Sequence, residues 1–338
     1  GAAMSGTTSP RRRWAFTLIE LLTVVAIISL LISILVPSLS GARDAAKNAK
    51  TRSIMKAAGE GLELFRNENE QELRGNNYPP STPGDDPTES GNNNSPGNEE
   101  LCGAQWLVRY LLGKDLNGYV ARRNVPVGAI GTTPGFEQEG WYDPNSALPR
   151  SGPYLPLNSA MLKSPKQLPG APASADGDSP RFKNPVIIDN WDMPILYYAA
   201  NTMYGQNPNA NMTTYPGANP DKGIYSYVDN AFFTGLCTES GCAADYPPWL
   251  FRGDEHKLFY PGAWTSSPPA TPAAWASQIA DPAYRNSFPY IIMNKEAYQS
   301  TGGASKGTVI PYRRDSFLLL SPGKDGRFGT DDDIWNFK

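Results

Sequence analysis

The chain has 338 residues, a formal net charge of −3 and a single histidine. That length allows one or two domains with a real core, and the near-neutral balance argues against bulk nucleic-acid binding. Gly and Pro number 32 each and charged residues make up 19%, so turns and long loops are expected, with modest helix content beyond the N-terminus.

Residues 1–15 are polar and end in Arg11-Arg12-Arg13-Trp14-Ala15. An apolar run follows from Phe16 to Val36, and Glu20 is its only charge. About 20 apolar residues in a helix span a bilayer core of ~30 Å. This is longer than the apolar region of a secretory signal. A carboxylate in a membrane helix costs ~2.5–3.5 kcal/mol near the centre and less toward an end. A simple anchor gains nothing from that cost. Cleavage between Ala15 and Phe16 would supply a partner, a new amine on Phe16 four residues before Glu20. Arg11–Arg13 favour a cytoplasmic N-terminus, but Arg43, Lys47, Lys50 and Arg52 follow the span, so local charge alone orients it weakly.

The segment Arg13-Trp14-Ala15-Phe16-Thr17-Leu18-Ile19-Glu20-Leu21-Leu22 resembles the signal of type IV prepilins and type II secretion pseudopilins. The resemblance implies that a prepilin peptidase cuts between Ala15 and Phe16 and methylates the Phe16 amine. It implies that Glu20 pairs with the N-terminus of a neighbouring subunit. Pro37 stands where pilin helices commonly carry a proline, and Ala15 stands where Gly is more common. On this resemblance residues 1–15 are a leader and 16–37 a transmembrane and assembly helix in the inner membrane. The head then lies in the periplasm or outside.

After Pro37 the pattern stays helical. Leu39, Ala42, Ala46, Ala49, Met55, Ala58, Leu62 and Phe65 recur near one broad face, which predicts an amphipathic continuation over 38–70. One helix from about Phe16 to about Asn67 is expected, loosened at Pro37 and weakened near its end by Gly59 and Gly61. Residues 71–100 read as a flexible linker rich in Asn, Gly, Pro, Ser and acidic residues. Within it Tyr78-Pro79 resembles a pair that follows the long helix in G-type pseudopilins. Residues 101–338 are expected to form the head. A helix is predicted over Ala104–Leu112, stopped by Gly113.

Residues 114–185 are punctuated by Gly and Pro and show no clear element. Val186 to Tyr198 reads as two strands flanking a turn. It resembles the Asp-x-Trp-Gly-x-Pro-x-x-Tyr element of the pseudopilin sheet, with Asp192 in the usual Gly position. Asn201–Gly223 and Pro261–Ala274 are expected to be loops, and Phe288–Met293 and Ser316–Leu320 strands. The fold class is therefore α+β: a long N-terminal helix, its first half spanning a membrane, packed on a small antiparallel sheet with extensive loops.

The last strand empties into Ser321–Ile334, which bears Gly323, Gly326 and Gly329 and the carboxylates Asp325, Asp331, Asp332 and Asp333. Close carboxylates repel unless a cation or solvent relieves them, and Ca2+ takes six to eight oxygen ligands. The loop is not an EF-hand, but it resembles the calcium loop of G-type pseudopilins. That resemblance implies Ca2+ held by Asp325, Asp331 and Asp333, with Asp332 as an alternate and carbonyls near Leu320 and Ser321. The competing reading is a solvated acidic turn.

Cys237 and Cys242 either pair across a short loop in an oxidising compartment or stand as two surface thiols; Cys102 is left over. No Gly-x-Ser-x-Gly elbow, phosphate loop or His-Glu-x-x-His is present, and His256 lies in a charged stretch, so no enzyme is expected. The resemblance implies a pseudopilin of a type II secretion-like system that self-assembles into a filament. Its partners would be prepilin peptidase, a secretion ATPase and an inner-membrane platform protein, with no nucleic acid. The alternatives are a type IV minor pilin that binds a surface or macromolecule, or an extracytoplasmic binding domain on a pilin-like anchor.

Overall fold

The computed structural model describes residues 17–73, 77–81, 101–113, 115–119, 149–156, 161–169, 171, 182, 184–202, 211–213, 223–234, 288–300 and 310–337. They fall into two compact units, one ending at Ala46 and the other beginning at Lys47.

Helix α1 runs from Leu18 to Glu68 with Pro37 inside it. Proline has no N–H, so the Ser33 carbonyl loses its usual helical donor. The hydroxyls of the apolar stretch are satisfied within the helix. Thr23 donates to the Glu20 carbonyl, Ser29 to that of Val25 and Ser33 to that of Leu30, at 2.7–3.0 Å. In lipid no water would substitute for these bonds.

Only part of the expected amphipathic face is covered. Ile54, Met55, Ala58, Leu62 and Phe65 are buried, whereas Leu39, Ala42, Ala46 and Ala49 are exposed. The periodicity marks a helix face but not where a head begins to cover it. Gly61 faces the core: a Cβ there would lie 3.0 Å from both the Leu111 Cδ2 and the Tyr154 carbonyl oxygen. The glycine therefore admits a close approach rather than merely weakening the helix.

Helix α2, Gly103–Leu112, is buried along its whole length and ends at Gly113, as the sequence predicts. Strand β1 (Met161–Lys163) pairs antiparallel with β2 (Val186–Ile188), with Met161 opposite Ile188. Strand β3 (Leu196–Ala199) pairs antiparallel with β6 (Phe317–Ser321), which pairs antiparallel with β7 (Ile334–Trp335). The order of this central sheet is β3-β6-β7. All five residues of β6 are buried because the sheet is covered on both faces. Tyr197, Phe317 and Leu319 pack with α1 and α2, while Leu196, Tyr198, Leu318 and Leu320 pack with Phe288 and Phe328.

Three expectations change. Phe288–Ile292 is a short helix rather than a strand. A six-residue apolar run does not declare its own period, and Pro289 is compatible with a first helical turn. The stretch expected to be a loop after Asn201 contains β4, Asn211–Thr213, which runs parallel to β5, Gly223–Tyr225. Part of the expected linker is also packed. Tyr78 meets Phe317 edge-on at 4.9 Å and donates to Glu63 Oε1 at 2.6 Å, and the Pro79 carbonyl accepts from the Tyr197 hydroxyl at 2.6 Å.

Candidate assembly helix and acidic loop

Glu20 occupies the first turn of α1, and Thr17 stands just before it. The two form a capping box. The Thr17 N–H and hydroxyl donate to Glu20 Oε2 at 2.9 and 2.7 Å, and the Glu20 N–H donates to Thr17 Oγ1 at 3.3 Å. Thr-x-x-Glu before an apolar run is a sequence signature of a helix start. That signal was legible at Thr17, a residue that the charge argument about Glu20 passes over. The carboxylate thus satisfies helix-end donors that would otherwise be orphaned. Glu20 is exposed, so it is also open to a partner. Ala15 and Phe16 lie outside the described residues.

The side chains of the first half of α1 face outward: Leu18 is 81% exposed and Val24 45%. Among the described residues α1 is the one helix long and apolar enough to cross a membrane. Such a surface needs lipid or other apolar helices around it.

At the other end of the chain, the acidic loop is held mainly by its own side chains. Asp325 Oδ1 accepts from the Arg327 N–H at 2.8 Å. Asp332 accepts from the Asp325 N–H at 2.9 Å and from the Thr330 hydroxyl at 2.6 Å. Gly323 has a φ of 66°, and a Cβ there would run into the Asp332 carbonyl. Asp333 is buried. Its Oδ2 accepts from the Gly329 N–H at 2.7 Å, and its Oδ1 has no hydrogen-bond partner among the described residues. Burial pushes the Asp333 carboxyl up to about 8; the Gly329 N–H counteracts this, and the charges of Asp332 and Asp325 add to it.

The candidate ligands are not gathered at one point. Among the described residues no group of three or more His, Cys, Asp or Glu side chains is arranged to hold a metal. Asp325 and Asp331 are exposed, and Leu320 and Ser321 lie in β6 opposite Trp335 and Ile334. The feature that suits a cation is Asp333, a buried carboxylate with one oxygen unused. Cys237 and Cys242 lie outside the described residues. Cys102 is buried with a free thiol, pushed up to about 12 by that burial.

The Asp189–Met193 turn was partly legible as a strand–turn–strand block. Asp192 has a φ of 66°, the left-handed region where Gly is at ease. Lys163 Nζ pairs with Asp192 Oδ1 at 2.7 Å.

Residues 11–36 match the family model described as the prokaryotic N-terminal methylation motif. No curated protein and no solved structure matches the chain. The motif supports a type IV pilin-like precursor, and together with α1, the one candidate span among the described residues, it supports a membrane anchor at the N-terminus. Pilin-like chains are structural subunits, and the motif implies processing by a prepilin peptidase and assembly into a filament.

Proposed function

We propose that this protein is a pseudopilin, a non-enzymatic subunit of a type II secretion-like filament anchored in the inner membrane with its head outside the cytoplasm. Prepilin peptidase would cut between Ala15 and Phe16 and methylate the Phe16 amine. The observation that carries this reading is the pairing of a methylation motif with an exposed apolar first half of α1 that begins at Thr17-x-x-Glu20. A secretion ATPase and a platform protein would drive assembly from the membrane.

The capping box gives Glu20 two states. In the lone subunit Thr17 supplies its donors. In the filament the Phe16 amine of a neighbour would take the exposed carboxylate, offsetting the desolvation of both charges and setting the axial register. Pro37 frees one carbonyl and gives α1 a point of local adjustment on packing. Glu20→Ala should insert and be cleaved but lower filament yield by at least about tenfold, since one buried ion pair broken on one side costs several kcal/mol. Filament yield by shearing and immunoblot is the measurement; wild-type yield from this variant would reject the pairing.

The acidic loop is proposed to take Ca2+ through Asp333, with Asp325, Asp331, the alternate Asp332 and carbonyls near Leu320 and Ser321 completing the shell. Its support is the unused, buried Asp333 Oδ1. A bound cation would tie the last segment to the central sheet.

A second reading, a minor pilin or an anchored binding domain, draws on an open groove of about 330 Å3. Arg52, Lys56 and Arg313 line it together with Glu60 and Glu63, beside Phe317 and Trp335. This mixed-charge, aromatic lining suits a polar ligand with a cationic or aromatic part.

A further inference from the structure

Helix α1 meets the turn between β2 and β3 at Lys47–Thr51, the start of the head unit. The Asn190 N–H donates to Thr51 Oγ1 at 3.3 Å, and Trp191 Nε1–H donates to Asn48 Oδ1 at 3.1 Å. The Lys47 ammonium sits 4.0 Å from the centre of the Trp191 ring. Thr51 is fully buried under this turn.

The turn is shaped by one buried carboxylate. Asp189 Oδ1 accepts from the N–H groups of Trp191 and Met193 at 2.7 and 2.9 Å, and the Asp189 N–H donates to the Met193 carbonyl at 2.8 Å. Its other oxygen, Oδ2, accepts from the hydroxyl of Ser321 at 2.6 Å. Ser321 is the last residue of β6 and opens the acidic loop, and its Oγ accepts from the Gly323 N–H at 3.4 Å. Hydrogen bonds to a buried charge are short and strong, and removing one donor leaves the charge to find another.

We infer that Asp189 is a positioning residue that joins the hold on the assembly helix to the strand end where the acidic loop begins. Ser321 fixes one oxygen of Asp189, Asp189 fixes the turn, and the turn grips α1 at Asn48 and Thr51. The state of the C-terminal strand–loop junction thereby sets how firmly the head holds α1. The functional meaning of that hold rests on the reading of α1 as the assembly helix.

The test is hydrogen exchange with mass spectrometry on the full chain in detergent. In Ser321→Ala the α1 amides over 51–55 should exchange roughly tenfold faster, the scale of one charge-assisted hydrogen bond. Those over 62–66 should keep their wild-type rates. Ser321→Thr, which retains the hydroxyl, should restore protection over 51–55. If the Ala variant does not fold, Ser321→Cys keeps the volume with a weak donor and should show the same local effect. Unchanged exchange over 51–55, equal acceleration along both segments, or failure of Ser321→Thr to restore protection would overturn the inference. Filament yield in the same preparations reports on the assembly reading separately: a chain that never assembles refutes that reading while the exchange result still decides this one.

Discussion

Asp192 sits at φ 66°, and Lys163 pairs with it from a partly exposed position. Asp tolerates the left-handed region better than most residues, whereas a β-branched side chain does not. Asp192→Val should therefore cost about 1–3 kcal/mol, and Asp192→Gly should stay within about 1 kcal/mol of wild type, since an exposed ion pair contributes little. Denaturant melts of the two variants measure this. Asp333 carries a different liability. Its folded-state value of about 8 lies above the ordinary 3.8 because burial disfavours the charge. In a chelator its contribution to stability is full below about pH 4 and is lost as the pH rises toward 8. Thermal melts in EDTA should fall over that window, and Asp333→Asn should flatten the fall. Calcium binds the ionised form, so adding it should raise the melting temperature most near pH 8. No calcium shift in the wild type would remove the cation from the proposal.

Within the elements, burial rather than periodicity decides what a residue contributes. Leu62 is fully buried against α2 and the central sheet, while Leu39, on the same predicted face, is 57% exposed. Leu62→Ala should lower head stability by about 2–5 kcal/mol. Leu39→Ala should leave it within about 0.5 kcal/mol, because that side chain is exposed. Equal effects would contradict the difference in burial between the two residues. The central sheet explains why β6 reads as an unbroken apolar run: its alternate residues feed two cores. The Phe288–Ile292 run looks the same in sequence but forms a helix in the second core. A short run of apolar residues offers no polar face from which to read a period.

At the scale of the whole molecule, the features legible in the sequence were those fixed by local chemistry. The apolar helix, the Thr17-x-x-Glu20 start, the α2 stop at Gly113 and the strand–turn–strand block at Val186–Tyr198 all signal through neighbouring residues. Contacts across the chain left no such trace. Asp189 and Ser321 are 132 positions apart, and their hydrogen bond could not be read from either neighbourhood. The same holds for Tyr154, whose hydroxyl joins Glu68 and Asn69 at the end of α1. The acidic loop shows both sides: its composition flags a cation, while the turn bonds that occupy Asp325 and Asp332 emerge only from the fold. The central claim, a prepilin-type subunit, rests on the bond between Ala15 and Phe16. Co-expression with a prepilin peptidase followed by intact-mass and N-terminal peptide mass spectrometry tests it most directly. A mature chain that begins at Phe16 with a methylated amine is expected; an uncut leader, or a cut at any other bond, would contradict a prepilin-type subunit.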